Sequence, residues 1–108
     1  MNDIDTVIQS MRERISGDML TQIDAVIGVE IGGKGAYTID ARAVGGQGMI
    51  EGDPASHNLE SRFSFAISQE DFVKLMNGQL NAMAAAMTGK LKLKGDMAYA
   101  MKLAALFN

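Results

Sequence analysis

Hydrophobic positions along this chain follow first a helical period, then a strand period, then a mixture of the two. Ile4, Val7, Ile8, Met11 and Ile15 recur at helical spacing. Asp3 and Asp5 stand where the helix dipole favours acids, and Arg12 and Arg14 lie further along. Gly17 is the expected stop. Period two then takes over. In Ala25–Ile31 the residues Ala25, Ile27, Val29 and Ile31 share one face, with Val26, Gly28 and Glu30 on the other. Gly32-Gly33-Lys34-Gly35 has the chemistry of a hairpin turn. A second strand sets Tyr37, Ile39 and Ala41 against Ala36, Thr38, Asp40 and Arg42, and the run Gly45-Gly46-Gln47-Gly48 turns the chain again. A short strand at Met49–Glu51, a loop from Gly52 to Glu60 around Pro54, and a strand with Phe63, Phe65 and Ile67 inward complete this half. Successive strands with glycine turns predict an antiparallel meander.

The period changes again at Ser68, an N-cap with Asp71 three residues on. Phe72, Leu75 and Met76 form an apolar stripe, and Asn77-Gly78 is a helix stop. Leu80, Met83, Ala84 and Met87 predict a second helix, ended by Gly89. Lys90-Leu91-Lys92-Leu93-Lys94 alternates strictly, a strand with leucines in and lysines out. Asp96 caps a last helix, with Met97, Ala100, Met101 and Ala104 on one stripe and Leu103, Leu106 and Phe107 on the next. Strands and helices that segregate in this way predict an α+β fold with helices over one face of a sheet.

Composition narrows the function classes. A chain of 108 residues fits one domain, residues 1–108. The net charge of −3 makes nonspecific binding to nucleic acid or to an anionic surface a poor expectation. No cysteine is present, which excludes disulfides, thiolate metal sites and cysteine nucleophiles, and the single histidine, His57, excludes an imidazole cluster. No apolar stretch approaches the roughly 18–20 residues of a membrane span. The amphipathic, acid-bearing N-terminus does not resemble a signal peptide, so a cytoplasmic location is expected.

No catalytic constellation emerges. His57 lies in the polar loop GDPASHNLE with no nucleophile positioned by motif, and Glu70 and Asp71 are explained by capping. GGKG at 32–35 sits between strands, unlike a P-loop. The KLKLK run has no interleaved aromatics for base stacking and reads as a solvated face that discourages edge pairing. No metal or other cofactor is called for. What remains is apolar material. Nine methionines accompany no tryptophan, and Met76, Met83, Met87, Met97 and Met101 lie among the later helices with Ala82, Ala84, Ala85, Ala86, Ala98, Ala100, Ala104 and Ala105. Small residues beside flexible ones either let helices approach closely or leave a gap that an apolar ligand fills.

The stretch from Phe63 to Phe107 carries a specific joint pattern. Ile67-Ser68 is followed by Glu70-Asp71-Phe72, then Leu75-Met76-Asn77-Gly78, Asn81, Gly89-Lys90-Leu91-Lys92, Gly95-Asp96-Met97 and Ala100-Met101-Lys102-Leu103. In these pieces the chain resembles the sterol carrier protein 2 family of lipid-binding domains. The earlier strands, with Tyr37-Thr38-Ile39-Asp40 after a glycine turn, agree in order. The resemblance implies a roughly five-stranded, mostly antiparallel sheet covered on one face by helices and enclosing an apolar tunnel. It also implies non-catalytic carriage of a fatty acid, fatty acyl-CoA, sterol or isoprenoid-like lipid. Ala86 and Met87 stand where the family often has aromatics, and the sequence stops at Asn108 without an extended tail or peroxisomal address. A short, free-standing bacterial-type member is therefore expected.

The residues expected to line the tunnel are Phe65, Phe72, Leu75, Met76, Leu80, Met83, Met87, Met97 and Met101. A lipid chain of about sixteen carbons gains roughly 0.8 kcal/mol per buried CH₂, much of it offset by ordering, which leads to micromolar or somewhat tighter binding. The expected partner is an apolar lipid, with no nucleic acid and no integral membrane segment; transient membrane contact and a homodimer stay open. Two other readings stay open beside the carrier. One is an accessory domain that presents lipid to an assembly such as that of isoprenoid quinone biosynthesis. The other is a small enzyme using a carboxylate such as Asp40 or Asp96.

Overall fold

The computed structural model describes residues 3–15 and 18–107, without the side chains of Met19, Ala105, Leu106 and Phe107. The stop expected at Gly17 and the stripe positions Leu106 and Phe107 therefore lie outside what is described. Helix α1 spans Ile4–Arg14 and buries Val7, Ile8 and Met11, the face its periodicity predicts. The Asp3 carboxylate accepts the Thr6 N–H at its start. A one-and-a-half-turn helix, α2 (Asp18–Ile23), follows. Six residues hold too little periodicity to signal it, and the sequence reading has no element there.

Strands β1 (Ala25–Gly32) and β2 (Gly35–Ala41) form a hairpin through Gly33-Lys34. Gly33 sits at φ +81°, a conformation that costs it nothing. Strand β3 (Gly48–Glu51) adds to β2, and the three form the expected antiparallel meander. Strand β4 (Phe63–Ser68) departs from it, pairing parallel with β1, while β5 (Leu91–Gly95) pairs antiparallel with β4. The sheet order is β3-β2-β1-β4-β5, a mixed sheet in which three of the four pairings are antiparallel.

A parallel pair needs a crossover. Here residues 52–62 supply it through a 3-10 turn at Pro54–His57. That turn rides over the face of the sheet away from the helices. Pro54 lies over Gly28, where a Cβ would make ordinary contact with Pro54 Cγ at 3.5 Å and a tighter one, 3.2 Å, with Ser64 Cβ of β4. His57 hydrogen-bonds the Glu51 carbonyl from this exposed loop.

Helices α3 (Gln69–Met76), α4 (Ala82–Met87) and α5 (Ala98–Phe107) complete the helical layer. The Ser68 hydroxyl accepts the Asp71 N–H as the sequence predicts, and Phe72, Leu75 and Met76 are buried. On the sheet, Ile27, Val29 and Ile31 of β1, Tyr37 and Ile39 of β2, Met49 of β3 and Phe63, Phe65 and Ile67 of β4 are buried. Strand alternation alone requires these residues to share the inner face. Helix α1 packs on α3 and β3, α2 on β2 and α5, and α4 on β5.

Asp40 is fully buried at the far end of β2, yet charged. Arg42 Nε and Nη2 donate to its two oxygens at 2.7 and 2.8 Å. The guanidinium bonds, helped by the Gln47 N–H, hold the Asp40 carboxyl below its ordinary 3.8 against the opposing effect of burial.

Candidate functional site

The candidate site forms where short elements meet β4 and β5. Helix α4 is only six residues long and is held at both ends. The Asn81 Oδ1 accepts the N–H groups of Met83 and Ala84 at 2.9 and 3.1 Å, and the Thr88 hydroxyl donates to the Ala84 carbonyl at 2.9 Å. These caps offset the cost of so short a helix. Helix α5 begins where the Asp96 carboxylate accepts the Ala98 N–H at 3.0 Å.

Between α4 and α5 on one side and the sheet on the other lies an apolar cleft of about 170 Å³. Phe63 and Phe65 of β4 and Leu91 and Leu93 of β5 form its floor. Ala82, Met83 and Ala86 of α4 form one wall, and Ala100, Met101, Leu103 and Ala104 of α5 the other. None of these side chains ionises. The cleft exists because alanines face it from both helices, where larger side chains would close the gap. A second concavity, about 500 Å³, lies on the opposite face of the sheet against the 3-10 turn. Although larger, it has Glu30, Asp53, Lys92 and Lys94 in its walls and small residues at its floor. Such a trough favours water over hydrocarbon.

The structure brings Phe65, Met83 and Met101 together at the cleft. Phe72, Leu75 and Met76 are instead buried in the core, and Leu80 packs against it. Met87 is 85% exposed and Met97 51%, and neither stands in the cleft wall. The stripe Leu80, Met83, Ala84 and Met87 is not the buried face of α4. Ala85 is fully buried and Ala82 and Ala86 half-buried, so the helix seats itself on β5 through alanines. Instead of a closed tunnel the site is a short cleft, with Met83 (71% exposed) and Met101 (80% exposed) at its rim. Leu91 and Leu93, missing from the expected lining, were signalled by the strict alternation of β5. The alanines carried a weaker signal, their small size. Asp40 and Asp96 are both engaged structurally and neither reaches the cleft. Among the described residues no three metal-ligating side chains gather, and no helix is long and apolar enough to cross a membrane.

The sequence profile of the SCP-2 sterol transfer family matches residues 4–108. Hydroxysteroid dehydrogenase-like protein 2 of Bos taurus is 32% identical over 107 residues, covering 97% of this chain and 25% of that protein. The chain thus spans about a quarter of that relative's length. Non-specific lipid-transfer protein-like 1 of Caenorhabditis elegans is 31% identical over 105 residues, covering 92% of this chain and 85% of that protein. The solution structure of palmitated SCP2L2 from Aedes aegypti superposes with a TM-score of 0.74 at 20% identity, covering 98% of this chain and 95% of that one. At that identity the superposition establishes the shared fold.

Proposed function

Because the chain belongs to the SCP-2 sterol transfer family, we propose that residues 1–108 act as one non-catalytic unit that binds an apolar lipid in the α4–α5 cleft and carries it through the cytoplasm. The observation that carries this reading is a cleft walled only by hydrocarbon and thioether side chains, in the one part of the helical layer lined with alanine. A fatty acyl chain is the guest favoured first, since the Aedes aegypti relative is described as palmitated.

Size constrains the mechanism. Binding pockets commonly measure about 300–1,000 Å³, and a dry cavity of about 150 Å³ suffices for a benzene-sized guest. The present cleft, about 170 Å³, holds only a short stretch of chain. A longer chain must part α4 from α5. Met83 and Met101 can give way cheaply, because their side chains are pliable and already face solvent. Helix α5 comes last in the described chain, and of its described side chains Leu103 alone is fully buried, so moving its first turns disturbs little of the described core.

Displacement of a fluorescent fatty acid by palmitate, on delipidated protein, tests the proposal. Saturable binding in the micromolar range or tighter is expected. Ala100→Trp fills the cleft and should weaken palmitate binding at least about tenfold, the worth of roughly two buried methylenes. An absence of saturable binding to the native chain overturns the reading, and an unaltered affinity in the variant removes the cleft from it. A second reading draws on the bovine relative, in which the matched part is a quarter of a longer protein. There a domain of this kind would present lipid, an isoprenoid chain included, to a neighbouring enzyme.

A further inference from the structure

The chain holds nine methionines but no cysteine and no tryptophan. The thioether is therefore its only sulfur function, and neither a thiol nor an indole competes with it for an oxidant. The fold divides the methionines sharply. Met11, Met49 and Met76 are buried in the core cluster. Met83, Met87, Met97 and Met101 are exposed, and they make up all the exposed large apolar side chains among the described residues except Val44. The four lie on α4, on α5 or immediately before α5. A peroxide in water can reach these sulfurs, whereas the core sulfurs are reached only if the protein opens.

Exposure and a place in the cleft wall coincide at Met83 and Met101 alone. Met87 and Met97 are exposed but stand outside the wall. A thioether against hydrocarbon is apolar and pliable, while a sulfoxide carries a strong acceptor oxygen. No side chain in the cleft wall can donate a hydrogen bond to that oxygen. Water alone satisfies it at the rim, and an apolar guest lying across the rim strips that water away. Oxidation at these two positions thus penalises the occupied cleft and leaves the empty, folded protein almost untouched.

We propose that Met83 and Met101 form a reversible sulfoxidation site through which peroxide empties the cleft of apolar guests. The thioether lone pair attacks one oxygen of hydrogen peroxide and the O–O bond breaks. The proton on the transferred oxygen passes to the departing hydroxide, so sulfur loses two electrons and one water is released. Methionine sulfoxide reductases, drawing on a dithiol, remove the oxygen as water and restore the thioether. The site rests on the carrier reading above, because its effect is on the guest.

The test treats the full chain with hydrogen peroxide, follows each methionine by peptide mass spectrometry, and measures palmitate affinity by displacement of a fluorescent fatty acid. The four exposed methionines should oxidise while Met11, Met49 and Met76 stay reduced. Palmitate affinity should fall by about tenfold or more, the effect of two polar groups stripped of water, and return after treatment with both sulfoxide reductases and dithiothreitol. Each variant is judged by its own affinity before and after peroxide. The two values should agree when Met83→Leu and Met101→Leu are combined, since no sulfur remains at the rim. They should differ as in the native chain when Met87→Leu and Met97→Leu are combined. Undiminished affinity after sulfoxidation of Met83 and Met101 overturns the proposal. So does an equal loss in the variant without rim sulfurs, oxidation of the core methionines in step with the rim, or a loss that the reductases do not reverse. Untreated protein that binds no palmitate overturns the carrier reading, and this site with it; binding that survives oxidation overturns the site alone.

Discussion

The two ends of the helical layer are built on opposite principles. At one end the helices α1 and α3 pack on each other and present large apolar side chains to the core: Met11, Phe72 and Leu75 are fully buried, as are Ile27 of β1 and Ile39 of β2. Over β4 and β5, α4 and α5 present alanines and leave a cleft, while their methionines stand in solvent. One end supplies the stability that the other gives up. Alanine lets a helix seat close to a strand, but two such helices cannot also fill the space between them.

The largest effect should come from the packed end. Phe72→Ala removes a fully buried ring from beneath α3 and should destabilise the protein by about 3–5 kcal/mol, measured by urea unfolding. That is a large share of the roughly 5–15 kcal/mol typical of a domain. A loss below about 1 kcal/mol would mean that this end is as loosely filled as the other, and the contrast would vanish.

Asp40 offers an intermediate test, also outside the cleft. Its pairing with Arg42 holds the carboxyl ionised inside the protein, whereas the unfolded chain takes up the proton near the ordinary 3.8. The pair therefore contributes stability that is fully present above that value and is lost as pH falls through the lower, folded value. Between pH 5 and 8 this group should contribute no slope. Asp40→Asn leaves Arg42, which is 41% exposed, without its partner and should cost about 2 kcal/mol at neutral pH, less than for a fully buried pair. In the variant, stability should fall less steeply on acidification below about pH 4. Equal acid sensitivity in the two proteins would show that Asp40 is not the group being protonated. Palmitate binding should be unaffected, since the pair is remote from the cleft.

How much of this was legible in the sequence follows from what periodicity can encode. The inner faces of β1, β2, β4 and β5 could be read directly, because a strand has two sides and Ile27-Val29-Ile31 or Leu91-Leu93 admits a single assignment. The caps at Ser68 and Asp96 were equally plain. The parallel placement of β4 was not, because nothing in Gly52–Glu60 states on which side of the sheet the chain returns. In α4 two stripes compete: Met83 and Met87, four apart, and Ala82, Ala85 and Ala86, at the spacing i, i+3, i+4. The methionines are the more hydrophobic, so pattern alone selects them. Close approach to β5 selects the alanines. Phe72, Leu75 and Met76 read as a binding wall because an apolar stripe facing another helix looks identical to one facing a void.

The smallest effect tests that choice inside one helix. Ala85 and Met87 are two residues apart in α4, one fully buried and the other 85% exposed. Ala85→Leu forces three extra heavy atoms between α4 and β5 and should cost about 1–3 kcal/mol. Met87→Ala removes as many atoms from the same helix and should change stability by no more than about 0.5 kcal/mol, partly because alanine is the better helix former. Both values come from thermal or urea unfolding of the single variants. If Met87→Ala proved the more damaging, the helix would be seated on its methionine stripe, Ala85 would face solvent, and the cleft would have to be redrawn with Met87 in its wall.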